Sequence, residues 1–150
     1  MVQRKLSSLE KKLSYSFENK ELLKKALTHK TFAFESMEAV EYNERLEFLG
    51  DSVLNLVIAE MLYHKNMYFS EGELTRRRSM YVNNSYLAKK ARKLNLGKYL
   101  FLGKGETKQN GHETPSNLAN TLEAIFGAIY LDANYETVKK IIEKIIVKNI

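Results

Sequence analysis

Residues 42–64, YNERLEFLGDSVLNLVIAEMLYH, decide the fold. Leu46, Leu49, Val53, Leu54, Val57, Ile58, Met61 and Leu62 recur at steps of three and four, the spacing of one buried helix face. On the N-terminal half of this helix stand Glu44, Glu47 and Asp51, spaced i, i+3 and i+7. At ~100° per residue they fall within about 60° of arc, one above another. Glu47 and Asp51 are direct neighbours on that face, and like charges so placed oppose the helix by roughly a few tenths of a kcal/mol. Further down, the same stripe becomes Leu54, Ile58 and Leu62. A purely solvated face would stay polar. Carboxylates at the rim of a core are partly desolvated, and a divalent cation is the usual compensation.

Outward from this segment the chain keeps helical spacing. Leu6, Leu9 and Leu13 predict one short amphipathic helix, and Leu22, Leu23, Ala26 and Leu27 a second. Residues 71–82 and 84–94 read as two more, broken near Asn83-Asn84. The stretch 103–115, GKGETKQNGHETP, holds three Gly and the chain's one Pro, and reads as a mobile loop. Ser116 is the expected N-cap of a helix running to about Asp132. A last helix, from about Glu136 to Val147, carries Val138, Ile141, Ile142, Ile145 and Ile146. Nothing alternates with period two for long enough to predict a strand, and there is no repeat or linker. The expectation is one all-α domain.

Composition agrees and excludes alternatives. With 150 residues, 44% hydrophobic and 28% charged, the chain can bury a real core. One Pro and seven Gly exclude collagen-like and low-complexity classes. No apolar run approaches the ~18 residues of a membrane helix, and the N-terminus MVQRKLSSLEKKL has no apolar signal core. The absence of Cys excludes disulfides, thiolate zinc sites and cysteine nucleophiles, and fits an intracellular, cytoplasmic location.

The net charge of +6 hides a segregation. Residues 35–63 carry Glu35, Glu38, Glu41, Glu44, Glu47, Asp51 and Glu60 against Arg45 alone, whereas residues 71–108 carry ten Lys and Arg against three Glu. The basic stretch would attract a polyanion; the acidic one would repel it unless cations sit between. A metal-dependent site acting on nucleic acid resolves the conflict, and a surface of mixed charge is the plain alternative. A second oxygen pair, Asn120 and Glu123 at i, i+3, stands on an otherwise apolar helix of Leu118, Leu122, Ile125, Phe126, Ala128 and Ile129. Oxygen ligands on two facing helices suit Mg²⁺ or Mn²⁺. Glu123 could instead cap a backbone or meet an arginine in the core.

Other patterns carry less. GKGE lacks the spacing of a phosphate-binding loop. His29, His64 and His112 lie far apart, with His29 expected to pack or hydrogen-bond near the cleft.

Asn43 to Ser52, NERLEFLGDS, resembles the signature of the ribonuclease III family, and ALTHK at 26–30, EGELTRRRS at 71–79 and LANTLEAIFGAIYLD at 118–132 follow in the order and spacing of its bacterial nuclease domain. The resemblance implies an all-helical, homodimeric endonuclease domain spanning 1–150. Its partner would be double-stranded RNA, cut by phosphodiester hydrolysis to 5′-phosphate and 3′-hydroxyl ends, with rRNA and mRNA processing as its role. Carried over by motif, Glu47, Asp51, Asn120 and Glu123 are the implied metal positions for Mg²⁺, with Mn²⁺ as substitute. Glu44 and Glu71 match two further acidic positions, so that Glu44, Asp51, Glu71, Asn120 and Glu123 are the candidate catalytic residues. Phe48 matches an aromatic that plugs a socket on the partner subunit, a core position being the alternative. Gly50 matches the signature glycine. A helix interior disfavours Gly by ~1 kcal/mol, and close packing against another backbone is the physical reason expected here.

Two departures stand out. The family usually has Asp where this chain has Asn120, and bacterial members usually continue into a double-stranded-RNA-binding domain, whereas this sequence ends at Ile150. Either a second domain has been removed or the nuclease domain stands alone. Asn120, engineered or natural, removes one negative charge and predicts weaker metal binding. Duplex RNA is read mainly by shape through phosphates and 2′-hydroxyls. Arg76, Arg78, Lys104, Lys108 and Gln109 are the candidate backbone contacts. Three consecutive arginines cannot all face one way, so at most two of Arg76 to Arg78 would touch RNA. Lys89, Lys90, Arg92 and Lys93, and Lys139, Lys140, Lys144 and Lys148, read as solvated helix faces. The rival function is a catalytically silent duplex-RNA-binding or ribosome-associated relative.

Overall fold

Two apolar helices cross at the centre, and the remaining elements wrap around them. A computed structural model describes residues 2–148; the expected span 1–150 also takes in residues 1, 149 and 150, which lie outside them. The helices are α1 (Val2–Leu13), α2 (Lys20–Leu27), α3 (Lys30–Glu35), α4 (Glu44–Lys65), α5 (Glu71–Val82), α6 (Asn84–Lys93), α7 (Lys104–Lys108), α8 (Pro115–Asp132) and α9 (Tyr135–Ile142). A 3₁₀ turn at Leu96–Tyr99 precedes α7, and α9 continues into a π-helical turn at Glu143–Val147. Among the described residues there is no strand, only a single parallel bridge between Thr28 and Phe101. The fold is all-α.

α8 is the central element. Every residue from Asn117 to Ile129 is buried except Asn120. A helix apolar on all sides must be covered on all sides, and α2, α4, α6 and α9 pack around it. On α4, Leu46, Val53, Leu54, Val57, Ile58 and Leu62 face inward. Glycine sets the α4–α8 approach. A Cβ on Gly50 would lie 1.7 Å from the Glu123 carbonyl oxygen, and one on Gly127 would lie 2.4 Å from the Leu46 carbonyl oxygen. The two backbones therefore touch where each helix lacks a side chain, which is the close packing expected for Gly50.

Four expectations need correction. The stretch 103–115 is not a free loop. It contains α7, and the Glu35 carboxylate accepts from the Lys104 backbone N–H (2.9 Å) while Thr31 Oγ1 accepts from that of Gly103 (2.9 Å). Asn117 Nδ2 donates to Glu106 Oε1 (2.9 Å) and to the Gly111 carbonyl (3.1 Å). Gly111 serves close packing, since a Cβ there would sit 2.7 Å from Glu106 Cγ. The cap of α8 is Thr114, with Pro115 as first helical residue, so Ser116 lies inside the helix; proline suits that position because its missing N–H would have no partner there. Lys90 is not solvated but buried, its Nζ 5.0 Å from the Tyr86 ring centroid. Lys139 is likewise tied down, 2.8 Å from Glu60 Oε1. The six-residue α3 had no sequence reading, because it is too short to show a period; His29 caps it, accepting from the Thr31 N–H.

Candidate active site

The glycine crossing lays the carboxylate face of α4 against α8. Glu44, Glu47, Phe48 and Asp51 from α4, Asn120 and Glu123 from α8, and Asn84 from the start of α6 line one depression. Asn120 is the single break in the buried stretch of α8, so the depression opens where the central helix reaches the surface.

The electrostatics are unbalanced. Glu123 is only 6% exposed. Burial first, then the hydrogen bond and charge of Asp51 and the charge of Glu47, push its carboxyl up from 4.5 to about 8. Glu47 is also raised, by burial and then by Glu44 and Asp51. The alternative in which Glu123 meets a core arginine is not what the fold builds: among the described residues it forms no ion pair. Among the described residues one cation pairs with a rim carboxylate, Lys30, whose Nζ lies 3.4 Å from Glu44 Oε1. Asp51 Oδ1 accepts from Asn55 Nδ2 at 3.1 Å.

Hard-cation chemistry fits this donor set: oxygen ligands only, crowded, and partly desolvated with too little positive charge. The carboxylates line the depression without converging; among the described residues no three acidic or histidine side chains already close on one metal position.

The other candidates fall elsewhere. Glu71 sits exposed in the first turn of α5, accepts from Thr75 Oγ1 (2.9 Å), and is not among the lining residues. Arg76 and Arg77 both pair with Glu73 (2.9 and 2.8 Å), and Arg77 also stacks 4.1 Å above the Phe69 ring. Arg78 is half-buried and forms no ion pair among the described residues. Lys104, Lys108 and Gln109 are exposed at α7. Phe48 is 78% exposed, which removes the core alternative. Two positions had no sequence reading. Asn84 was legible only as part of a helix break, and Gly127 only as one more small residue on an apolar helix.

Residues 19–150 match the family described as Ribonuclease-III-like. Ribonuclease 3 of Desulfotalea psychrophila is 47% identical over 140 residues, covering 93% of this chain and 58% of that protein. Ribonuclease 3 of Nitratiruptor sp. is 46% identical over 143 residues, covering 95% and 61%. The chain thus spans about three fifths of the length of these curated relatives. Among solved structures, the nuclease domain of ribonuclease III from Campylobacter jejuni, described as flexible in a region involved in dimer formation, matches at TM-score 0.85 and 46% identity over 92% of this chain and 96% of that one. Dicer from Pichia stipitis matches at TM-score 0.63 and 29% identity, over 87% and 54%.

Proposed function

The chain belongs to the ribonuclease III family, and on that premise we propose that it is a metal-dependent endoribonuclease cutting double-stranded RNA. In this reading it acts as a homodimer in the cytoplasm, processes rRNA and mRNA precursors, and leaves 5′-phosphate and 3′-hydroxyl ends. The observation that carries the proposal is the meeting of Glu47 and Asp51 with Asn120 and Glu123 around one depression, with Glu123 buried against Asp51 and, among the described residues, in no ion pair.

Glu47, Asp51, Asn120 and Glu123 would hold Mg²⁺, or Mn²⁺ in its place. A divalent ion, when bound, supplies Lewis-acid activation of water and neutralises charge on the phosphate. The chain's own groups do the rest. Glu123, its carboxyl pushed up by burial and by the charge of Asp51, would hold a proton in the metal-free depression and release it as a cation enters. Glu44 stands at the rim and tethers Lys30. Glu71 is proposed as an outlying acid on its motif position. Lys104, Lys108 and Gln109 at α7, with Arg76 and Arg78 on α5, would meet the duplex backbone. Phe48, with Leu56 and Tyr63 further along α4, leaves an apolar strip exposed beside the site; a second copy of the chain is its proposed cover.

Asn120 lowers the expected activity. Its amide oxygen can ligate a hard cation, but the NH₂ cannot accept a hydrogen bond or a proton. The test is cleavage of a perfect RNA duplex across Mg²⁺ concentrations, with Asn120→Asp alongside. Asn120→Asp should cut on the order of tenfold faster at low Mg²⁺; equal rates would refute this account of Asn120. The same residue favours a second reading, a silent duplex-RNA-binding relative. Such a protein would bind the duplex without metal and release no fragments from either variant.

A further inference from the structure

Among the described residues one cation pairs with an acid of the depression, and it comes from outside the two helices that carry the acids. Lys30 is the first residue of α3. Its Nζ lies 3.4 Å from Glu44 Oε1, with both side chains about half exposed. Its charge also reaches Glu47, where it opposes the effect of Glu44 and Asp51.

The backbone under Lys30 is held firmly. The His29 N–H donates to the Phe101 carbonyl (2.9 Å), and His29 Nδ1 caps the helix through the Thr31 N–H. Thr31 and Glu35 accept from the backbone of Gly103 and Lys104. Gly103 has little room for a side chain, since a Cβ would lie 2.9 Å from the Thr31 carbonyl oxygen. Thus the base is fixed while the ammonium, on a flexible four-carbon stem, stays in solvent reach.

We propose that Lys30 is an exchangeable counter-cation of this cleft: paired with Glu44, it offsets part of the acidic charge until a divalent ion enters, and is then released to a phosphate oxygen of the bound duplex. A point charge on Glu44 that is also felt at Glu47 competes electrostatically with a cation that Glu47 would hold. Once displaced, it stands at the rim of a site that must accept a polyanion between acids, the conflict posed by the charge segregation. The inference rests on the metal-dependent nuclease reading and assigns to it a positioning residue.

Two measurements test it. In calorimetric titration with Mn²⁺ alone, Lys30→Gln should bind Mn²⁺ roughly three- to tenfold more tightly than the unmodified protein, because a competing charge a few ångströms away is gone, whereas Lys30→Arg should bind like the unmodified protein. In duplex-RNA binding across salt concentrations, with Ca²⁺ present to slow cleavage, Lys30→Gln should lose about one phosphate contact from the logarithmic salt slope. Unchanged or weaker Mn²⁺ binding by Lys30→Gln would overturn the proposal, as would equal shifts in the Gln and Arg variants or an unaltered salt slope. Failure of the nuclease reading looks different: the unmodified protein would itself bind no Mn²⁺.

Discussion

The two ends of α4 carry the same kind of side chain and treat it in opposite ways. Near its C-terminal end, Glu60 accepts from Lys139 Nζ at 2.8 Å and from the Tyr135 hydroxyl, and these partners, Lys139 first, hold its carboxyl below the usual range. Near its N-terminal end, Glu47 and, across the crossing, Glu123 are pushed the other way by burial and by each other's neighbours. One end is complete within the chain. At the other, among the described residues, only Glu44 of the depression's acids has an ion-pair partner. An acidic residue on a helix is therefore balanced or left in excess according to whether the fold brings a cation to it, and α9 brings one to Glu60 while α8 brings another acid to Asp51.

The contrast breaks most severely at the crossing. Gly50→Ala should destabilise the fold by about 3 kcal/mol or more, since its Cβ would meet backbone, which cannot rotate away; thermal unfolding checks this. Partial refolding with the helices splayed should also abolish Mn²⁺ binding, because Glu47 and Asp51 would leave Glu123. Next in size, Glu123→Gln should lower cleavage on the order of a hundredfold at fixed Mg²⁺, whereas Glu60→Gln should leave cleavage unchanged and lower only the melting temperature. Equal losses of activity in both variants would erase the distinction between the two ends.

The smallest effect is in pH. The folded-state value of Glu123, about 8, lies above its ordinary 4.5. Between these values the folded protein binds more protons than the unfolded chain, so metal-free stability falls as pH rises from about 4.5 to about 8. Divalent metal should flatten this slope, as should Glu123→Gln. Glu60 has the opposite sign. Its folded value is lowered, so its contribution is present above the ordinary carboxylate range and lost as pH falls through its folded value. Melting curves of the metal-free protein from acid to mildly alkaline pH, for both Gln variants, read the two slopes separately.

Much of this was legible in advance. The positions of the longer helices followed from three- and four-residue spacing, and the acid stripe running into Leu54, Ile58 and Leu62 placed the carboxylates at a core edge, where all three leucine or isoleucine side chains are buried. The failures are physical rather than random. Gly105 and Gly111 read as freedom, yet the stretch around them is held by Glu35, Asn117 and Glu106. Lys90 and Lys139 read as solvent-facing because their charge is local, while the ring and the carboxylate that receive them come from elsewhere. Asn84 had no motif to mark it, and only the packing of α6 on α8 brings it to the depression.

The amino-acid order alone determined which residues share a helix face, because a regular backbone turns by a fixed angle per residue. It thus set Glu44, Glu47 and Asp51 on one stripe, Asn120 and Glu123 on another, and the family to which both belong. Tertiary structure decided which stripes meet. Two glycines let the α4 and α8 backbones touch, and that approach, rather than any local preference, left Glu123 buried against Asp51, while the packing of α9 brought Lys139 to Glu60.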